Sequence, residues 1–240
     1  GINAALKIKG KEPLVLGRHE SYIGVLADDL TTKGTEEPYR MFTSRVEYRL
    51  IVREDNADRR LAEYGYQCGL LSADLYRGIE EKYQSVEREI RHLQSVRVPP
   101  GTALDQELMD RGSSPLRQPT LLSDILKRPE ADYGMIAPYD GRLKSFPEEI
   151  IDQVEYEIKY EGFIQRQLKE VERFRHVENI KIPLDICYDE IHSLSTEVRQ
   201  KLKRFSPLNL GQAQRISGIT PAAISILMVY LRKRTLEAKG

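Results

Sequence analysis

The chain has 240 residues, of which 40% are hydrophobic, so it is long enough to form one or two domains with a substantial core. Its 37 basic and 37 acidic residues cancel, which excludes a global field that attracts polyanions and leaves such binding to local patches. No apolar run approaches the roughly 18 residues of a membrane span, and no secretory leader pattern opens the chain, so the sequence predicts a cytoplasmic protein.

The first segment has a helix-like pattern over residues 2–9 that ends at Gly10, and it predicts that the sequence starts inside a longer protein. Short β-rich runs at 14–16, 22–26 and 48–52 then predict a small β region. The neighbouring carboxylates of Asp28 and Asp29 are placed in a loop. They suit acid–base chemistry or cation binding, or they are simply a solvated acidic pair.

Residues 37–61 combine cationic and aromatic side chains. The four arginines are Arg40, Arg45, Arg49 and Arg53. A strand here would hold the last two on one face, where their charges suit phosphate oxygens or a carboxylate partner. The alternative is a salt-bridged sheet face, in which the arginines pair with Glu47, Glu54 or Asp55.

From residue 57 onward the pattern is helical. A short helix over 57–64 is followed by Ser72 as the N-cap of a long helix, whose apolar positions step by three and four as far as Leu93. Thr102 with Asp105 forms a capping-box pattern, and first-turn prolines predict short helices at 121–127 and 130–135. No strand pattern interrupts this series.

A second capping-box pattern, Ser145 with Glu148, predicts a helix of about thirty residues with Gly162 as a weak point. The first half of this helix is acidic. That face is either solvated or a surface that repels nucleic acid and directs a polyanion elsewhere.

The last section is basic, because residues 199–234 contain eight Lys and Arg residues and no Asp or Glu. Ser195 caps a first helix, a second lies near 210–216, and Thr220 caps a third that begins at Pro221. The third helix has almost no polar side chain before Arg232, which argues against a DNA-reading helix-turn-helix. Basic groups around a buried helix favour recognition of phosphate backbone and shape, as in structured RNA.

No catalytic, metal-binding or cofactor-binding residue is predicted. The four histidines are scattered, and the chain has neither a glycine-rich nucleotide motif nor a phosphate-loop motif. Cys68 and Cys187 are far apart and lack a CxxC spacing, so they predict neither a disulfide scaffold nor a zinc site. The predicted fold class is mainly α, a helical C-terminal domain preceded by a small β-containing segment.

Three long stretches resemble the GidA/MnmG family of tRNA uridine 5-carboxymethylaminomethyl modification enzymes. They are SYIGVLADDLTTKGTEEPYRMFTSRVEYRLIVREDNADRRL at 21–61, KYEGFIQRQ at 159–167 and GQAQRISGITPAAI at 211–224. Departures from the family pattern, such as Val46 in place of Ala and Ala27 in place of Ile, remove no charged or capping group. The resemblance is collinear over essentially the whole chain.

The resemblance implies that residues 1–70 are the end of a FAD-binding domain and that residues 71–240 are a helical C-terminal domain for tRNA and partner binding. The complete enzyme would be a homodimer that uses FAD and NADH and acts with the GTPase MnmE at carbon 5 of the wobble uridine of tRNA. This chain is expected to hold neither cofactor alone and to be inactive alone. Cys68 and Cys187 do not match the family's catalytic cysteines.

The resulting site prediction has two parts. The nucleic-acid-binding candidates are Arg40, Arg45, Arg49, Arg53, Lys201, Lys203, Arg204 and Arg215. The partner-binding candidates for MnmE are Gly218, Thr220, Arg232 and Arg234. The alternative function is a structural or protein-docking helical domain without nucleic-acid contact.

Overall fold

A computed structural model describes residues 1–32, 34, 37–141, 145–178 and 180–237. The described residues form twelve α-helices and one two-stranded sheet, which confirms the prediction of a mainly α fold. In chain order the elements are α1 (Ile2–Ile8), α2 (Tyr22–Thr32), α3 (Ala57–Gln67), α4 (Ala73–Leu93), β1 (Arg97–Val98), α5 (Ala103–Asp110), β2 (Thr120–Leu121), α6 (Leu122–Leu126), α7 (Tyr133–Ile136), α8 (Glu148–Lys159), α9 (Glu161–Glu178), α10 (Thr196–Phe205), α11 (Leu210–Arg215) and α12 (Pro221–Glu237).

The chain divides into two compact units. The first unit consists of Gly1–Glu12 and Arg53–Arg166, and the second unit consists of Pro13–Val52 and Gln167–Gly240. The second unit is therefore discontinuous in sequence, since its two parts flank most of the first.

The first unit is built around α4, which packs against α3 and α8. Ser72 caps α4 as predicted, with its hydroxyl accepting a hydrogen bond from Leu75 N at 3.3 Å. The three- and four-residue spacing of apolar residues buries Val86 and Leu93 in the same core as Leu122 and Ile125 of α6. Next to this core, β1 and β2 pair antiparallel, with Arg97 opposite Leu121.

The second unit has its main core between α10, α11 and α12. Leu202, Leu210 and Leu227 supply one fully buried side chain from each of these helices. Capping fixes where the helices begin: Ser195 Oγ accepts from Val198 N at 3.3 Å, and Thr220 Oγ1 accepts from Ala223 N at 3.2 Å. Both caps confirm the prediction.

Residues 13–52 of the second unit differ from the prediction, and the expected strands at 22–26 and 48–52 are wrong. Residues 22–26 belong to α2, because Val25, Asp29 and Thr32 are buried at helical rather than alternating spacing. Residues 48–52 form a turn in which the Tyr48 carbonyl accepts from Val52 N at 2.8 Å. Residues 14–16 have no regular structure.

Two predicted capping boxes also differ in detail. The helix predicted from Ser145 starts at Glu148 with Pro147 as its N-cap, and it breaks at Tyr160 to give α8 and α9. Thr102 does occupy the N-cap of α5, but its buried hydroxyl has no hydrogen-bond partner among the described residues. None of the described helices is long and apolar enough to cross a membrane.

Candidate functional site

A buried charge network in the second unit surrounds Arg18, whose side chain is only 6% exposed. Its guanidinium group lies 2.7 Å from Asp29 Oδ1, 3.1 Å from Asp28 Oδ2 and 2.6 Å from Glu47 Oε1. Burial alone would lower the pKa of Arg18, but its hydrogen bonds to Glu47 and Asp29 raise it above the ordinary value. Arg18 is therefore permanently charged and is neutralised by side chains of its own unit.

Asp28 connects Arg18 to a second arginine, Arg215 at the end of α11. Arg215 forms a two-point ion pair with Asp28, with Nε 2.7 Å from Oδ2 and Nη2 2.8 Å from Oδ1. Its Nη1 lies 2.8 Å from Glu178 Oε1, and its side chain is 17% exposed. Arg215, a predicted nucleic-acid-binding residue, is thus engaged in holding residues 13–52 to the C-terminal helices.

These contacts also define the environment of the acidic pair at positions 28 and 29. Both carboxylates lie on α2 rather than in a loop, and Asp29 in addition accepts a hydrogen bond from the Tyr39 hydroxyl at 2.8 Å. Because arginine and tyrosine donors surround them, the pair is neither solvated nor open to a cation. In the part of the chain that the structure describes, no cluster of His, Cys, Asp and Glu could hold a metal ion.

A pocket of about 220 Å³ adjoins the network. Its walls include Arg18, His19, Glu47, Tyr48 and Arg215. Burial lowers the pKa of His19 and raises that of Tyr48 to about 12, so both side chains are neutral at pH 7. The pocket offers no activated nucleophile, and its charged groups already pair with one another.

Arg40 and Arg45 lie in the loop between α2 and the turn at 48–52, and Arg49 lies in that turn. The Arg45 guanidinium lies 4.3 Å from the centre of the Tyr39 ring, and its Nε donates to the Arg40 carbonyl at 2.8 Å. Arg40 and Arg49 are exposed, and neither side chain has an ion-pair partner among the described residues. These two arginines therefore present uncompensated charge to solvent.

Arg53 belongs to the first unit and is held there by three contacts. Its Nε lies 2.9 Å from Asp55 Oδ1, its Nη2 donates to Gln153 Oε1 at 3.2 Å, and its guanidinium lies 3.4 Å from the centre of the Tyr156 ring. Its side chain is 10% exposed. The structure thus gives Arg53 the carboxylate pairing that formed the alternative to a phosphate site.

The basic residues of α10 are more accessible. Lys203 is exposed and its ammonium group lies 2.6 Å from Asp189 Oδ2, while the exposed Arg204 lies over the Phe205 ring. Lys201 pairs with Glu197 at 2.7 Å. Exposed pairs of this kind contribute only about 0–1 kcal/mol, so an incoming phosphate can replace the carboxylate at little cost.

The predicted partner-binding residues lie around the turn that precedes α12. Gly218 has a φ of +84° and Thr220 caps the helix, while Arg232 is exposed further along it. Arg234 pairs with Asp185. The structure brings Gly218 against Lys201, so members of the two predicted groups share one surface.

Arg18, the centre of the charge network, was not identified from the sequence, because Arg18 lies in the polar run between the two β-rich runs at 14–16 and 22–26. Ser21 is the residue from which α2 could have been predicted. Its hydroxyl accepts from Gly24 N at 2.9 Å, as a helix N-cap does, and recognising that cap would have placed Asp28 and Asp29 on a helix.

Comparison with known protein families gives two matches. The C-terminal helical domain of the tRNA modifying enzyme MnmG/GidA matches residues 74–168, and the C-terminal helical bundle of the same enzyme matches residues 170–240. Together these matches cover most of the chain.

Curated relatives carry the name tRNA uridine 5-carboxymethylaminomethyl modification enzyme MnmG. The protein from Caldicellulosiruptor saccharolyticus is 48% identical over 239 residues, which are 100% of this chain and 38% of the relative. The protein from Geobacillus kaustophilus is 49% identical over 233 residues, 97% of this chain and 37% of the relative. The chain therefore spans less than two fifths of the length of these relatives.

Solved structures of Aquifex aeolicus GidA have the same fold. The form II crystal structure aligns with a TM-score of 0.80 at 42% identity, covering 96% of this chain and 36% of that one. The form I crystal structure aligns with a TM-score of 0.77 at the same identity. The similarity includes both units, since the aligned share is nearly the whole chain.

Proposed function

The chain belongs to the MnmG/GidA family of tRNA-modifying enzymes, of which it is a C-terminal helical part, and on that premise we propose that it binds tRNA through exposed cations of its second unit. The whole protein would modify carbon 5 of the wobble uridine in the cytoplasm as a homodimer, using FAD and NADH and acting with the GTPase MnmE. This chain contributes recognition rather than chemistry to that reaction.

The observation that carries the proposal is the contrast between engaged and available cations. Arg18 is buried and Arg215 is 17% exposed, and both form internal ion pairs, whereas Arg40, Arg49 and Arg204 are exposed without a carboxylate partner among the described residues. A phosphate contact costs least at a cation that does not lose a partner on binding. The exposed arginines lose no such partner, and Lys203 loses one at small cost.

The residues of the predicted set that internal contacts hold in place receive a different role. Arg45 rests on Tyr39 and donates to the Arg40 carbonyl, and Arg215 fixes α11 to α2 through Asp28. We assign both to positioning: they hold the loop that bears Arg40 and Arg49 and the helices that bear Lys203 and Arg204. Arg53 positions residues of the first unit in the same way.

The partner MnmE is assigned to the turn around Gly218 and Thr220 and to Arg232. An exposed Val229 on α12 adds an apolar contact to this surface. Because Lys201 lies against Gly218, tRNA and MnmE would approach neighbouring groups on the second unit.

The pocket next to the charge network does not fit FAD. The pocket beside Arg18 has about 220 Å³, below the roughly 300–1,000 Å³ of ligand pockets. Glu47 and Glu178 line it, and their carboxylates would repel a pyrophosphate group. No step of the reaction is therefore assigned to residues of this chain.

The test is binding of unmodified tRNA to the 240-residue chain across a series of salt concentrations. We would compare Arg40→Ala/Arg49→Ala and Lys203→Ala/Arg204→Ala with Arg77→Ala/Arg88→Ala, which removes two exposed arginines of α4 in the first unit. Each cation that contacts a phosphate contributes about 0.9 to the slope of log affinity against log salt, so each of the first two variants should flatten the slope by about one to two.

The control variant should retain the wild-type slope. Arg215 and Lys201 are left unchanged because their removal disturbs the charge network and the turn at Gly218, respectively. If the wild-type chain captures MnmE but does not bind tRNA, the protein-docking alternative is correct and the tRNA site lies elsewhere in the whole protein.

A further inference from the structure

A series of neighbouring planar side chains lies in the first unit. The Arg53 guanidinium lies 3.4 Å from the centre of the Tyr156 ring, and the Tyr156 and Tyr160 rings stack with centroids 4.7 Å apart. The Tyr160 and Phe163 centroids are 6.5 Å apart, and the Arg166 guanidinium lies 4.5 Å from the Phe163 ring centre. We call these five residues the aromatic ladder.

The two ends of the aromatic ladder differ in accessibility. Arg53 is 10% exposed at one end, whereas Tyr160 is 42% and Phe163 is 54% exposed towards the other. The break between α8 and α9 at Tyr160 produces this exposure, because Tyr160 ends one helix and its carbonyl accepts from Phe163 N at 2.9 Å. Two large rings are thus presented to solvent instead of being packed in the core.

The carboxylates near the exposed end are neutralised by cations of the same unit. Glu161 lies 3.0 Å from Lys127, Glu155 lies 3.4 Å from Lys159, and Glu157 lies 3.7 Å from Arg59. Arg166 is exposed and has no carboxylate partner within the described part of the chain. The acidic sequence of α8 therefore does not repel a nucleic acid at this end, and Arg166 attracts one.

We propose that Tyr160, Phe163 and Arg166 form a stacking site for an unpaired nucleobase of RNA. Exposed aromatic rings beside a cation are the usual means of binding unpaired bases, because every base offers a π face to the ring while the cation contacts the backbone. The inference rests on the proposed tRNA-binding function and adds to it a site for bases on the first unit, distinct from the phosphate-binding arginines of the second.

The experiment measures affinity of the 240-residue chain for a stem–loop RNA with an unpaired loop and for a fully paired duplex. Phe163→Leu keeps apolar volume but removes the π face, and it should weaken stem–loop binding about 10-fold while leaving the salt slope and duplex binding unchanged. Phe163→Tyr keeps an aromatic ring and should therefore bind the stem–loop RNA like the wild type. Tyr66→Leu, which removes another exposed ring of the first unit, should have no effect.

Gly162→Ala is a further control, since the added methyl group points about 100° around the helix from Phe163. It meets no atom of another residue within 4 Å, so this variant should be at least as stable as the wild type and should bind the stem–loop RNA equally well. A photoreactive uridine in the loop should crosslink to Tyr160 or Phe163 in the wild type.

The outcomes separate this inference from the proposed function. If Phe163→Leu binds the stem–loop RNA like the wild type while Arg40→Ala/Arg49→Ala is impaired, the function stands and the stacking site is wrong. If the wild type binds neither RNA, both are wrong. Loss of MnmE capture in Phe163→Leu with RNA binding intact would make the rings a protein contact and would also overturn the stacking site.

Discussion

The ammonium group of Lys201 lies against Gly218, in the space that a Cβ atom at position 218 would occupy. The Lys201 Cε atom is 3.4 Å from the same point. The positive φ of +84° requires the glycine, whereas the lysine is a flexible side chain whose end can move aside.

We therefore expect Gly218→Ala to lower the free energy of unfolding by the cost of backbone strain, about 1–2 kcal/mol. Gly101→Ala is the matched control, since Gly101 has a φ of +83° and open space around it. Urea unfolding should show similar costs for the two glycine variants, because the end of the Lys201 side chain can move aside and its pair with Glu197 contributes little. A much larger cost for Gly218→Ala would show that Lys201 is held in place.

Gly24 in α2 should be intolerant of any side chain. A Cβ atom there would lie 2.6 Å from the Leu16 carbonyl oxygen and 2.7 Å from the Gly17 carbonyl carbon, and backbone atoms cannot move aside as a flexible side chain can. Gly24→Ala should destabilise the chain by about 1–3 kcal/mol or more. Gly78→Ala in α4, where no atom lies within 4 Å, should instead stabilise it by about 0.5–1 kcal/mol, measured by thermal unfolding.

Replacing Arg18 tests the charge network. Arg18→Met leaves three nearby carboxylates without their shared cation, and removal of one partner of a buried ion pair costs about 3–5 kcal/mol. Denaturant unfolding should show this loss, whereas Arg204→Met, at an exposed site, should stay within about 0.5 kcal/mol of the wild type. A small effect of Arg18→Met would mean that the network contributes little to stability.

Arg18 and Arg215 should be coupled because they share Asp28. After Arg18→Met, Asp28 depends on Arg215 alone, so Arg215→Met should cost more in that background than in the wild type. The expected coupling free energy is about 0.5–3 kcal/mol, measured by a double-mutant cycle. Additive costs would show that the two arginines act independently.

The hydrogen bonds of Asp58 should make the free energy of unfolding fall in acid. Burial alone would raise the pKa of Asp58, but hydrogen bonds from Lys82, at 2.9 Å, and from Tyr83 lower it overall. Its contribution is therefore fully present above the unfolded pKa of about 4 and is lost as the pH falls through the lower folded pKa. Asp58→Asn should flatten the pH dependence of the unfolding free energy in that range, and an unchanged profile would contradict this origin.

The sequence predicted the helices best where capping and periodicity agreed. The caps Ser72 and Ser195 correctly predicted where α4 and α10 begin. Apolar residues at three- and four-residue spacing correctly predicted that both segments are helical. The strand predictions for short segments were wrong. Tyr48 and Val52, for example, are four residues apart, a spacing that fits a turn as well as a strand. Periodicity cannot decide between these two structures over five residues.

The candidate site was predictable by type of residue but not by availability. The sequence identified the arginines, yet whether an arginine faces solvent or a carboxylate depends on contacts between residues far apart in the chain. Arg215 is the example, since its partner Asp28 is separated from it by 187 positions. Arg40 and Arg49 look no different from Arg45 in the sequence, and only the fold distinguishes them.

The same long separation has a consequence for synthesis on the ribosome. Residues 53–166 belong to the first unit and emerge before Gln167–Gly240, which complete the second. We therefore expect the ion-pair network of Arg18, Asp28 and Glu47 to remain incomplete until α11, which carries Arg215, has been synthesised. The first unit can fold before that point. Completion of the second unit should be the late and slow step, as expected for contacts of high sequence separation.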